Sequence, residues 1–153
     1  MQRWLGLAFL VVSCGAPGAA PVKPASTAAG AVRGFMQAVA DSNLTGMASL
    51  WGTPGGSAAK TGQPQDYQRR IVIMQAYLRN DSFKLLSDSP ETTENRRALQ
   101  VEIKRQSCTW TVPFVAVKTG DGTWIVNQVD LTAAGNPARP CKEGEGADSA
   151  SHK

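Results

Sequence analysis

CTWTVPFVAVKTGDGTWIVNQVDL, residues 108–131, alternates apolar with smaller or polar side chains on both sides of a glycine-rich centre. Alternation at a period of two marks a half-buried strand, and Gly120-Asp121-Gly122 is a tight-turn sequence. The stretch predicts a β-hairpin. Cys108, Trp110, Val112, Phe114 and Ala116 form an apolar row on its first strand, and Trp124 to Leu131 returns. Which side chains share a face depends on the loop. An even loop groups Ile125, Val129 and Leu131 with Trp110, Val112 and Phe114, and leaves Trp124, Val126, Gln128 and Asp130 opposite. A three-residue loop with a bulge brings Trp124 and Val126 inward instead. Pro113 has no N–H to donate, which predicts an edge position or a bulge.

Upstream, Leu99, Val101 and Ile103 alternate with Gln100, Glu102 and Lys104, and predict a second half-buried strand. Phe83 and Leu85 mark a first one, and the polar, Pro-containing run from Ser87 to Arg97 predicts a long connection between them. Before Asn80-Asp81 the period is helical. Val32, Phe35, Met36 and Val39 fall at i, i+3, i+4 and i+7, with Ser26 or Thr27 placed to cap the helix. Leu44, Met47, Leu50 and Trp51 predict a second short helix; Tyr67, Ile71, Met74 and Leu78 predict a third, from Asp66. Gly52 to Gln65 is a loop by composition. The fold class that follows is α+β, with N-terminal helices packed on a curved four-stranded antiparallel sheet.

The chain has 153 residues, 42% of them hydrophobic, and a formal charge of +4. That is one domain with one core, too few apolar residues for membrane spans, and too little charge for a nucleic-acid footprint. Its opening, LGLAFLVVSCGAPG at residues 5–18, is an apolar run that stops at a cysteine. Leu5 to Val12 is about 12 Å long as a helix, against roughly 30 Å of bilayer hydrocarbon, so it cannot span. With Arg3 ahead and small residues behind, it reads as a secretory signal. Gly15 to Ala31 contains three prolines and few large side chains, the composition of an extended tether reaching about 50 Å.

Val11-Val12-Ser13-Cys14 resembles the lipobox of bacterial lipoproteins. That resemblance implies removal of residues 1–13, acylation of Cys14 and attachment to the cell envelope, with Cys14 to Ala31 as the tether. Gly15 rather than Asp after Cys14 is similar to outer-membrane sorting facing the periplasm in Gram-negative lipoproteins. The alternative is an ordinary signal peptide and a secreted protein, with Cys14 incidental. Lipidation of Cys14 leaves Cys108 and Cys141 as the one possible disulfide pair, in a compartment where disulfides persist. The alternative there is two free thiols. Residues 142–153 are polar and glycine-rich, and predict a disordered tail.

Helices followed by an antiparallel meander ending in Gly122-Thr123-Trp124-Ile125-Val126 resemble the nuclear transport factor 2-like superfamily, over about residues 28–132. The resemblance assigns residues 32–141 to one such domain and implies a sheet wrapped around the helices with a pocket in the cone. Members include enzymes, small-ligand binders, interaction modules and envelope lipoproteins, so the fold leaves the function open.

Chemistry-bearing residues are sparse. The only histidine, His152, lies next to the C-terminus, which removes histidine triads and His-rich metal sites. GTPGGSAAKTG lacks the Gly-Lys-Ser/Thr ending of a phosphate-binding loop. No cofactor or metal is expected. An acid–base pocket of the isomerase or dehydratase type would need a carboxylate among apolar groups. Asp130 and Glu102 are the acidic candidates on strands, and Tyr67 and Tyr77 the possible donors. A candidate pocket comprises Tyr67, Met74, Trp110, Trp124 and Asp130, with Trp124 able to stack on a ligand. Arg69-Arg70, Arg96-Arg97 and Lys104-Arg105 are basic pairs suited to an anionic surface or to plain solvation. The leading expectation is an envelope-anchored, non-catalytic domain binding a small hydrophobic ligand or another envelope protein. The alternative is a small acid–base enzyme acting on a hydrophobic compound.

Overall fold

The computed structural model describes residues 22–139, 141 and 142. Cys14, the signal-like stretch, and residues 143–153 of the tail lie outside the described residues. The architecture is α+β: α1 (Ala28–Ala40) and α2 (Leu44–Leu50), a small hairpin of β1 (Gly52–Thr53) and β2 (Gly56–Ser57), α3 (Ala58–Thr61), then α4 (Tyr67–Leu78). The sheet follows as β3 (Ser82–Pro90), β4 (Arg96–Arg105), β5 (Cys108–Lys118) and β6 (Trp124–Val129), all antiparallel in that order. A 3₁₀ turn, Leu131–Ala134, closes the chain onto β5.

Helix α1 starts where Thr27 Oγ1 accepts the Gly30 N–H at 3.0 Å, so it is one turn longer at its N-terminus than the apolar stripe from Val32 alone suggests. Asn43 caps α2 in the same way, its Oδ1 2.8 Å from the Gly46 nitrogen. Of the span 14–31 read as a tether, residues 22–31 are placed against the body. The Trp124 N–H donates to the Ala25 carbonyl at 2.9 Å, and Val22 packs on the core. The glycine-rich run after Trp51 is not all loop: it carries β1, β2 and α3, and the Ala58 N–H donates to the Trp51 carbonyl at 2.8 Å.

One face of the sheet packs on the helices. Leu99, Val101 and Ile103 of β4 and Cys108, Val112, Phe114 and Ala116 of β5 are buried there against Phe35, Met36, Met47 and Leu78. Phe35 and Phe114 meet edge to face, with ring centroids 6.3 Å apart. Each such side chain contributes roughly 1.5–3 kcal/mol when fully buried.

The hairpin parity takes both forms. Lys118 pairs with Trp124 and Ala116 with Val126, so near the turn Val126 shares the face of Ala116. Asn127 is then the extra residue of a bulge, after which Phe114 pairs with Val129. Ile125, expected beside Trp110 and Phe114 if the loop was even, instead pairs with Val117 on the other face. The bulge coincides with a tertiary bond: Asn127 Nδ2 donates to the Gly52 carbonyl at 2.8 Å, across the open side of β6. Trp51 also bridges to Val126, so β6 is covered while β3 is the free edge.

Strand β3 runs further than its apolar residues predict, through Ser87 to Pro90. Ladder pairing with β4 continues there past a second bulge at Leu86, and the Asp88 carboxylate pairs with the Arg97 guanidinium. Pro113 sits in the interior strand β5 rather than at an edge. Its carbonyl accepts the Asp130 N–H at 3.0 Å, so its nitrogen faces the side on which β6 has already ended at Val129. Cys108 and Cys141 form a disulfide, Cα–Cα 5.9 Å, which ties the start of β5 to the segment beyond the 3₁₀ turn.

Candidate functional site

The five side chains suggested by the sequence for one pocket do not share one. Tyr67 opens α4, half-buried, in a groove of about 490 Å³ with Leu44, Ala48, Ile71 and Val72. Met74 is buried two turns on, and lines a cleft of about 280 Å³ with Trp51, Asn127 and Val129. Trp124, half-buried, lines a separate cleft with Pro24, Lys60 and Asp121. Trp110 lies eight residues along β5 from Lys118, the ladder partner of Trp124, which is about 26 Å of strand. That length keeps the two indoles out of any shared small-molecule site.

Asp130 is exposed and engaged with its own turn. Its Oδ1 accepts the Thr132 N–H at 3.1 Å and the Thr132 hydroxyl at 2.5 Å, which caps the 3₁₀ turn. Glu102 pairs with Lys84 and Thr111 in the ladders, on the face away from the core. Neither carboxylate is enclosed by apolar groups. Among the described residues, Thr119 is the one buried polar side chain. No group of three or more His, Cys, Asp or Glu residues there is arranged to hold a metal ion.

The structure brings together residues that periodicity did not single out. Arg105 lies over Trp110, its guanidinium carbon 4.7 Å from the ring centroid, and donates to the carbonyls of Ala134 at 2.9 Å and Tyr77 at 3.3 Å. Burial lowers its pKa first, and the neighbouring Arg79 charge second, with Asp81 opposing. Its contacts are those of a clamp joining α4, β4, β5 and the 3₁₀ turn. The adjoining polar hollow, about 450 Å³, is lined by Arg79, Asp81, Ser42 and Gln75.

At the opposite end of the sheet, Asp121 organises the β5–β6 turn. Thr119 and Thr123 hydroxyls reach its Oδ1 at 2.5 and 2.7 Å, and Lys60 approaches Oδ2 at 3.6 Å. These hydrogen bonds, that of Thr119 foremost, hold its carboxyl far below the ordinary carboxylate range. The basic pairs are mostly satisfied within the protein: Arg96 by Glu91, Arg97 by Asp88, Arg70 by Asp66.

The groove between α2 and α4 is the apolar feature that sequence reading missed. Leu44 and Val72 are exposed there at 41% and 53%, beside the half-buried Tyr67, whereas Ile73, exposed at 40%, lines the neighbouring cleft with Met74 and Arg70. The signal was present, since Val72 and Ile73 lie off the stripe of Tyr67, Ile71, Met74 and Leu78. No helix among the described residues is long and apolar enough to cross a membrane.

The sequence matches no known family model and no curated protein. Solved structures similar to it include a protein of Shewanella frigidimarina provisionally named a ketosteroid isomerase. It is 18% identical over 67% of this chain and 93% of the other, with a TM-score of 0.43. Another, from Streptomyces avermitilis, is provisionally named a dehydratase of the nuclear transport factor 2-like family. It is 17% identical over 63% of this chain and 85% of the other, with a TM-score of 0.39.

Proposed function

We propose that this chain is an envelope lipoprotein, anchored through Cys14, whose nuclear transport factor 2-like domain binds a partner or ligand and performs no chemistry. One observation carries the non-catalytic half. The space between helices and sheet is occupied by Phe35, Met36, Met47, Val101 and Phe114, all buried, while Asp130 caps a turn and Glu102 stands on the outer face. A general base needs a carboxylate raised in pKa by apolar surroundings and within reach of a bound substrate. The helix-first order and the four-stranded meander support the family reading. Support for the anchor comes from Val11-Val12-Ser13-Cys14, and the Cys108–Cys141 disulfide suits an oxidising compartment.

Labelling cells with a radioactive fatty acid tests the anchor: label is expected in the wild type and lost in Cys14→Ala. Equal labelling of that variant refutes acylation at Cys14. Conversion of a hydrophobic carbonyl compound by the purified protein, abolished in Asp130→Asn or Glu102→Gln, would overturn the non-catalytic half and establish the acid–base alternative.

A further inference from the structure

We infer that the hollow between the C-terminal ends of α1 and α4 and the β4–β5 turn binds a small polar anion, a carboxylate or a phosphate, through Arg79 and Arg105. The inference deepens the ligand-binding part of the reading above and rests on it. The hollow holds about 450 Å³, the size of a small-molecule site, and Ser42, Gln75, Asn80 and Asp81 line it with the two arginines. Gln75 Nε2 donates to Ser42 Oγ at 3.2 Å. A wall of this kind suits a polar ligand rather than a hydrophobic one.

Strand parity explains why a cation stands there. Leu99, Val101 and Ile103 face the core, and Arg105 falls on the same side two residues further on, where it pairs with Cys108 as β4 ends. The charge is therefore drawn inward, half-buried over Trp110. The carbonyls of Ala134 and Tyr77 accept from two of the five N–H donors that a guanidinium offers. Carbonyls supply dipoles and no counter-charge. A charge drawn out of water is stable when it is paired, yet among the described residues no carboxylate forms an ion pair with Arg105.

Arg79 adds a second cation at the same place. It is exposed, stands where α4 ends, and has no ion pair among the described residues. Its guanidinium is not used to cap the helix. The Gln75 carbonyl takes the Arg79 backbone N–H at 3.1 Å, the Leu78 carbonyl takes the Asn80 amide at 2.9 Å, and the Tyr77 carbonyl takes Arg105. Burial lowers the Arg105 pKa first and the Arg79 charge second, so the two cations repel. Asp81, the one carboxylate among the lining residues, opposes this, but its Oδ2 already accepts the Gln106 N–H at 2.7 Å. Two cations against one engaged carboxylate leave the concavity positive. An anion from solution supplies the missing counter-charge through charge-assisted hydrogen bonds.

The test follows the amide NMR signals of the nitrogen-labelled full chain at constant ionic strength. The probes are inorganic phosphate, succinate, and dihexanoyl phosphatidylglycerol below its micelle concentration. Saturable shifts at Arg79, Asp81 and Gln106 are expected, with a dissociation constant of about 1 mM or less for at least one probe. Tighter binding of phosphate or succinate supports a soluble ligand at this site, and tighter binding of the lipid supports a headgroup at the same site. Arg79→Gln is expected to weaken binding about ten-fold, and Asp81→Asn to strengthen it about two-fold. Lys118→Gln, which removes an equal charge at the far end of β5, is expected to change nothing. The absence of a saturable shift with every probe would overturn the inference. So would equal weakening by Arg79→Gln and Lys118→Gln, the mark of a general attraction to a basic protein. Either result leaves partner binding elsewhere on the domain standing. Turnover of a hydrophobic carbonyl compound, by contrast, would overturn the non-catalytic reading and leave an Arg79-dependent anion site in place.

Discussion

Gly135 lies flat against Trp110: a Cβ on Gly135 would fall 2.7 Å from the indole Nε1 and Cε2. Its φ of 69° and ψ of 168° fall in a region essentially reserved for glycine. Gly135→Ala therefore meets both a backbone penalty and an aromatic ring that is itself held by Arg105. The expected cost is about 2–4 kcal/mol in urea unfolding. A loss under 0.5 kcal/mol would show that the ring moves freely, and that the packing described at this end of the sheet is wrong.

Arg105→Ala removes the donors to the Tyr77 and Ala134 carbonyls and uncovers one face of Trp110. Hydrogen bonds from a charged group contribute about 1.5–3 kcal/mol each at most, and the group is only partly buried, so a total near 2 kcal/mol is expected. Arg105→Lys should recover little of it, because one ammonium cannot reproduce a fork that spans two carbonyls. Chemical denaturation of both variants, with Trp fluorescence as the probe, decides the matter. Full rescue by lysine would mean that charge alone acts here.

The disulfide joins residues separated by 33 in the sequence. On the chain-entropy model, closing such a loop stabilises by about 3–4 kcal/mol. Cys108→Ala/Cys141→Ala should lower the unfolding midpoint accordingly, and the wild type should lose stability in reducing buffer. Thiol titration of the denatured wild type should find neither Cys108 nor Cys141 reactive. Two reactive sulfhydryls from this pair would contradict the bond.

Asp121 supplies a pH dependence. Its folded pKa lies well below the ordinary 3.8, through the Thr119 and Thr123 hydroxyls, then the Thr123 N–H, and last Lys60. A depressed carboxylate contributes stability that is fully present above the unfolded value, near pH 4, and is lost as pH falls toward the folded value. Asp66 acts in the same direction through Arg70. Stability should be flat with respect to these groups above about pH 5 and decline below about pH 4. Asp121→Asn should flatten the acid limb without steepening it, and an unchanged acid limb would remove Asp121 from the account.

Much of the architecture is local and therefore legible. A period of 3.6 places Val32, Phe35, Met36 and Val39 on the buried side of α1, and a period of 2 does the same for Leu99, Val101 and Ile103. Those patterns need no knowledge of neighbours, so the α+β class follows from them. The candidate site was barely legible, because Tyr67, Trp110, Trp124 and Asp130 were chosen by residue type, and type does not say which ends of a sheet meet.

By itself, then, the amino-acid order determined the helices, the antiparallel strands and their turns, since each is set by side chains a few positions apart. Only the tertiary structure decided that Asn127 would bulge toward Gly52 and turn Ile125 to the far face, that Arg105 would lock onto Trp110, and that Val22 would seat against Gly46 of α2. Those outcomes depend on bonds between residues many positions apart, whose partners are chosen when the elements dock.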